Sequence, residues 1–291
     1  NAIDAKTLSA NITPSVAPIV GSSTTQEIAL DVAQLGGMYA GKIFLLGTEA
    51  GLGVRSAGVI GTSGGNLVLQ NNGPLTNSGT MQAKGDLQIT TQANVTNSGT
   101  LYATGLQSIS TPSNLQNNGS IVSEGDSVIS ANSLNSSQNS SISTQGNLDI
   151  QLQSDFFPQG KILASKKLNL STTGVFNNQL DLTTPGNFSI TAQDVNNDGS
   201  LGSGSSVNIQ ANRAITNTGK IVAPSVTLSA GAQIRNTGPS ALIGATNAAG
   251  NLTLLAPTIE NSDDIATTDS PPSTTILGLG SVTLAGALDA N

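Results

Sequence analysis

One stretch, residues 75–94 (LTNSGTMQAKGDLQITTQAN), is written again with drift along most of the 291-residue chain, and this repetition limits the fold more than any other feature. The unit reads as an apolar residue, a spacer, Asn, a spacer, Gly, a spacer and a second apolar residue (Leu75, Asn77, Gly79, Met81). A turn and a short alternating segment, Leu87 and Ile89, follow. Further copies start at Val95, Leu115, Leu134, Phe156, Val175, Val195, Ile215, Ile234 and Ile259, and an earlier one starts at Val54. A period of about twenty residues lies in the range of solenoid proteins.

Aligned on these starts, the third position is Asn77, Asn97, Asn117, Asn177, Asn197, Asn217, Asn236 and Asn261, with Ser56, Ser136 and Pro158 as departures. The fifth is Gly58, Gly79, Gly99, Gly119, Gly160, Gly199, Gly219 and Gly238, with Gln138, Gln179 and Asp263 departing. The later apolar pairs are more regular: Leu67/Leu69, Leu87/Ile89, Leu148/Ile150, Leu168/Leu170, Phe188/Ile190, Val207/Ile209, Val226/Leu228, Leu252/Leu254 and Val282/Leu284. Two copies keep only the second member, Ile109 and Ile129.

Apolar residues two apart share one face of a strand, and a lone unit of this size has nothing to bury that face against. Stacking solves the problem: if each unit is one coil of a parallel β-helix, strands of successive coils pair at about 4.8 Å and like residues stack on like. Gly at the fifth position suits a corner that needs positive φ or a close backbone approach. The recurrent Asn reads in two ways, as an axial ladder of bonded amides or as a turn former bonded to its own backbone; both are structural. Helical readings fail, because no window keeps apolar residues at three-and-four spacing. Leucine-rich repeats share the period but require a Leu-rich consensus that is absent.

The expected fold is therefore all-β, a parallel β-helix of about twenty residues per coil and roughly 60–70 Å in length. Residues 1–53 match the repeat least and are expected as irregular N-terminal coils; 54–291 are expected as one continuous repeat body. Extra residues fall in the coils that start at Leu134 and Ile234, the second predicting a bulge at 245–250. The acidic, Pro-containing stretch 263–272 predicts a protruding loop. The chain stops without a polar cap after residue 285, which suggests a piece of a longer array.

Charged residues are 9% and aromatics 2%, so the surface is mostly Ser, Thr, Asn and Gln. A net charge of −7 with scattered Lys and Arg offers no stripe for phosphates, and nucleic acid is excluded as a partner. There is no cysteine, hence no disulfide framework or thiolate metal site.

Two features together resemble a known family. The segment LGGMYAGKIFLLGTEAGLGVRSAG (35–58), followed by tandem copies of V-x-N-x-G-x-L, is similar to the filamentous haemagglutinin family of two-partner-secreted exoproteins, which includes adhesins and contact-dependent growth inhibition proteins. The resemblance implies a right-handed filament, exported through an outer-membrane two-partner secretion transporter and displayed on a Gram-negative cell. Secretion domains of that family carry Asn-Pro-Asn motifs; this sequence has no Asn-Pro, so the first fifty residues look like a seam following such a domain.

Parallel β-helices also serve as polysaccharide lyases and hydrolases, which need clustered carboxylates, or carboxylate-bound calcium with a base. Histidine is absent. The acids that neighbour one another are Glu124/Asp126, Asp149/Asp155, Asp194/Asp198 and Asp263/Asp264/Asp269, and Asp86 lies two coils before Asp126 with Leu106 between. Each reads as a solvated turn residue, with a weak ion at Asp263, Asp264 and Asp269 as the alternative. With two tyrosines (Tyr39, Tyr102) and no tryptophan, a dedicated sugar groove lacks its usual aromatic platform. Phe156–Phe157 reads as a pair with one ring packed inside the coil, the alternative being an exposed anchor. The expectation is no catalytic, cofactor or metal residue. The chain reads as a shaft that presents adhesive or toxin modules; a direct adhesin module that binds a receptor or glycan is the competing reading, and a lyase the remote one.

Overall fold

The computed structural model describes residues 28–247, 251–262, 275–278 and 281–289. A regular coil carries three short strands separated by tight corners; in the coil that starts at Leu75 they are Leu75–Asn77, Thr80–Ala83 and Leu87–Thr91. Each pairs in parallel with the copy twenty residues on: Leu75 with Val95, Thr80 with Thr100, Leu87 with Gln107. The result is a parallel β-helix of about eleven turns, without helices among the described residues. Coils begin at Ile28–Val32, Gly37–Ala40 and Ile43–Gly47, which pair with Gly53–Ser56, Val59–Thr62 and Leu67–Asn71.

Alternation decides what is inside. Along Leu67–Asn71 and Leu87–Thr91, every second side chain is buried, and Leu67, Leu69, Leu87 and Ile89 are fully so. Where the first apolar member is missing, its place is taken by Gln107 and Ser127, both buried and hydrogen-bonded to each other at 3.4 Å. The Gln107 amide also donates to Leu101 O at 3.2 Å, so the polar pair sits in the core with its hydrogen bonds made.

The fifth-position glycines serve close approach rather than positive φ in the regular coils. A Cβ on Gly99 would overlap the carbonyl oxygen of Gly79 one coil below, while Gly99 N donates to Asn77 O at 3.2 Å. Positive φ occurs at this position only where the corner is irregular, at Gly160 (φ 73°) and Gly238 (φ 105°).

One alignment shifts. The inward residue of strand Val175–Asn178 is Phe176, paired with Val195, and the third-position amide is Asn178, paired with Asn197; Asn177 faces outward beside Asn196. The sequence pattern starts one residue early there because Val175 and Phe176 are both apolar. The extra residues of the coil that starts at Leu134 lie at the corner 137–140, closed by Ser140 N to Ser137 O at 3.0 Å. In the coil that starts at Ile234, part of the insertion lies at 238–241, where Ala241 N donates to Gly238 O at 3.1 Å. Residues 248–250 and the predicted loop at 263–272 lie outside the described residues, as do 1–27.

The three ladders do not all run through. The first-face sheet that begins at Ile28–Val32 ends at Ser133–Ser136. In the next coil Phe156 makes only an isolated bridge, to Phe176. The second-face sheet ends at Lys161–Ala164, and a separate one begins at Asp181–Thr184. The third face alone continues, from Leu148–Leu152 through Leu168–Thr172 to Phe188–Ala192. A proline stands beside each gap, although Pro224, at the position of Pro185, leaves the ladder from Ser200–Ser203 to Lys220–Ala223 intact. Pro158 occupies the third strand position and has no N–H to give. Pro185 stands where regular coils bond back to the coil before, as Thr104 N does to Ala83 O and Ser165 N to Thr144 O. The freed Ala164 carbonyl is taken instead by the Thr184 hydroxyl at 3.0 Å.

Candidate functional site

The acids proposed for scrutiny in the sequence turn out to be fasteners between coils. Asp86 Oδ1 accepts from Leu106 N at 2.8 Å, and Asp86 Oδ2 from Asn66 Nδ2 at 3.1 Å. Asp126 Oδ1 accepts from both the backbone and the side chain of Asn147, and Asp155 Oδ1 from Val175 N. Asp149 holds Gln151 and Asn169, Asp194 pairs with Arg213 and Ala214 N, and Asp198 accepts from the Thr218 hydroxyl. Glu124 accepts from Tyr102 across the second face, while Tyr39 is exposed. An Asx side chain that caps the next coil's N–H keeps a carboxylate at a corner, with its oxygens engaged and its neighbours one coil away.

These bonds set the electrostatics. The Asn147 backbone N–H holds the Asp126 carboxyl below its ordinary value, with burial opposing and the Asn147 amide assisting. The Arg55 guanidinium does the same for Asp31 at the surface. The hydrogen bond to Glu124 raises the Tyr102 hydroxyl, because losing its proton would set two negative groups side by side. Among the described residues no group of three potential metal ligands gathers. Asp263, Asp264 and Asp269 lie outside them.

The third-position amides make the most continuous polar structure among the described residues. Asn77 Nδ2 donates to Asn97 Oδ1 at 2.8 Å, and Asn97 Nδ2 to Asn117 Oδ1 at 2.8 Å. A second run goes from Asn178 to Asn197, Asn217, Asn236 and Asn261, each link 2.7–2.8 Å. The same amides bond their own turns, Asn217 Nδ2 to Gly219 O at 3.0 Å and Asn178 Nδ2 to Leu180 O at 2.8 Å. Ladder and turn former are therefore one residue acting twice, with the side chain buried. Ser136 and Pro158 separate the two runs.

That interruption coincides with a recess of about 650 Å³ at the corner between the first and second faces. Gln138, Gln159 and Gln179 line it from three successive coils, with Lys161, Asp181 and the exposed side chains of Phe157 and Leu163. Phe156 is buried and stacks on Phe176 with ring centroids 5.8 Å apart, and Phe157, 42% exposed, stands outside. The packed reading of the pair describes Phe156; Phe157 is an outward ring. The recess offers amide donors and acceptors, an apolar wall and one charge of each sign. Among the described residues, Asp181 is the one acid that lines it. Sequence reasoning did not find this recess; Pro158, at the third position where other coils carry Asn or Ser, was the available signal.

Comparison with known proteins agrees with this architecture. Toxin CdiA of Yersinia pestis is 52% identical over 64 residues, 22% of this chain and 2% of that protein. The tRNA nuclease CdiA-2 of Burkholderia pseudomallei (strain 1026b) is 45% identical over 83 residues, 28% of this chain and 2% of its own length. The chain thus matches a small part of these much longer relatives. No solved structure matches it at comparable significance. The haemagglutinin repeat family matches residues 5–105, 100–152, 143–197 and 186–256. The chain belongs to the haemagglutinin repeat family.

Proposed function

We propose that this chain is a shaft segment of a large exoprotein, secreted or displayed at the surface of a Gram-negative bacterium, that holds adhesive or toxin modules away from the cell for cell-cell contact. The observation that carries the reading is the use made of the polar groups: Asn, Asp and Gly are spent on bonds from coil to coil, as in the run from Asn178 to Asn261, rather than gathered into a pocket. Such a rod offers proteases few open strands. The relatives named as a toxin and a nuclease support the reading, since this chain matches only 2% of each and the matched part is repeat. In this reading the chemistry in those names belongs to other parts of such proteins, this segment is not an enzyme, and an outer-membrane two-partner secretion transporter acts on the parent chain.

A second reading, a direct adhesin module that binds a cell-surface receptor or glycan, draws on the recess and the outward Phe157 ring. Saturable binding of the fluorescently labelled chain to bacterial and epithelial cells, with unlabelled chain as competitor, separates the two. The shaft reading expects no competable binding at micromolar concentration. Competable binding that Phe157→Ser abolishes overturns it in favour of the recess.

A further inference from the structure

We infer that the coil from Phe156 to Thr172 is a joint, and that the shaft consists of two cooperative blocks that part there before either loses its own ladders. In a solenoid, stability is a sum of coil terms and neighbour-interface terms, so the rod divides at its poorest interface. A regular interface, such as that between the coils starting at Leu75 and Val95, has three ladders, an amide bond from Asn77 to Asn97 and glycine corners in close contact. The coil at Phe156 has fewer links on both sides. Toward the coil before, the first-face ladder is gone. Toward the coil after, the second-face ladder is gone, and the first face keeps one bridge. The amide ladder is absent on both sides, because Ser136 and Pro158 stand at its positions.

What remains is asymmetric. The third face is paired in full register across the joint, Leu148 with Leu168 and Leu168 with Phe188. Opposite it lie the recess and the Thr184 hydroxyl, which replaces the missing N–H of Pro185. One intact sheet with an open side facing it is the geometry of a hinge: the third face holds the blocks together while the corner at Gln159 and Gln179 opens. Neither proline is forced by the period, since other coils place Asn or Ser at the position of Pro158, and most place a polar residue or Gly at that of Pro185, with Pro224 as the other proline there.

Native-state hydrogen exchange on the 291-residue chain at rising denaturant tests this, independently of whether the chain binds cells. Amides of Leu87–Thr91 and Ser127–Ala131 should share one opening isotherm, and those of Ser206–Ala211 and Ser225–Ala230 a second. Amides of Lys161–Ala164 and Asp181–Thr184 should exchange at least about tenfold faster than either block. Pro158→Asn with Pro185→Thr restores the amide and the N–H, and should slow exchange at the joint by about tenfold and merge the two isotherms. A single isotherm shared by all these strands in the parent chain overturns the proposal, whether or not the double variant folds.

Discussion

At the third position of the coil one amide bonds both along the axis and across its own turn, and the direction of the bonds leaves an end. Each Asn donates Nδ2 to Oδ1 of the next coil, so the first Asn in a run has an acceptor with no donor above it. Asn77 Oδ1 is buried and unbonded, and its register partner one coil earlier is Ser56, whose hydroxyl is also buried without a partner. Ser56→Asn should supply the missing donor and stabilise the fold by about 1 kcal/mol, the net value of an intramolecular hydrogen bond. Thermal unfolding reads it; a lowered midpoint would mean that the slot at 56 is too tight for an amide. Asp126 shows the same economy at a corner. Its pKa is depressed in the fold, so its contribution is present at neutral pH and is lost as pH falls from its ordinary value of 3.8 through the folded value. Asp126→Asn should keep the bond from Asn147 and flatten the fall in stability below about pH 4, in an acid titration of the midpoint. An unchanged slope would assign the acid sensitivity elsewhere.

On the scale of the strand, the controlling fact is that a side chain belongs to a column of its copies. Ile89 is fully buried and sits between Leu69 and Ile109, so a charge there has no escape to solvent without displacing two neighbouring coils. Ile89→Asp should cost more than about 3 kcal/mol, whereas Gln88→Asp, one residue away and outward, should stay within about 0.5 kcal/mol. Equal midpoints for the two variants would refute the columns. The two-residue alternation made this column legible from the sequence. It was less reliable where two apolar residues adjoin: Val175 and Phe176 each satisfy the pattern locally, and only pairing with the neighbouring coil selects Phe176. The Asp86 and Asp126 fasteners were equally hidden, since each partner lies about twenty residues away and the sequence shows only a polar turn.

For the molecule as a whole, the coil is the natural unit of change. Removing residues 195–214 joins Asp194 to Ile215 and places Asn217 where Asn197 stood, in the column above Asn178. The shortened chain should fold with its circular dichroism preserved and its long axis reduced by about 4.8 Å in solution scattering. Removing 195–204 alone should abolish cooperative unfolding, because it deletes a first-face and a second-face strand and sets the third-face strand Ser206–Ala211 over the first-face strand Val175–Asn178. A folded half-coil variant would overturn the stacking argument. What the sequence by itself determined is the repeating part: the period, the inward pairs and the buried third-position Asn all follow from local alternation and from identical units having only one another to bury against. Only the tertiary structure decided where the ladders stop, which carboxylates fasten coils and which face stays continuous past Pro158 and Pro185. Those outcomes depend on register between residues about twenty apart and on hydrogen bonds offered by one coil and refused by the next, and no window of one coil contains both partners.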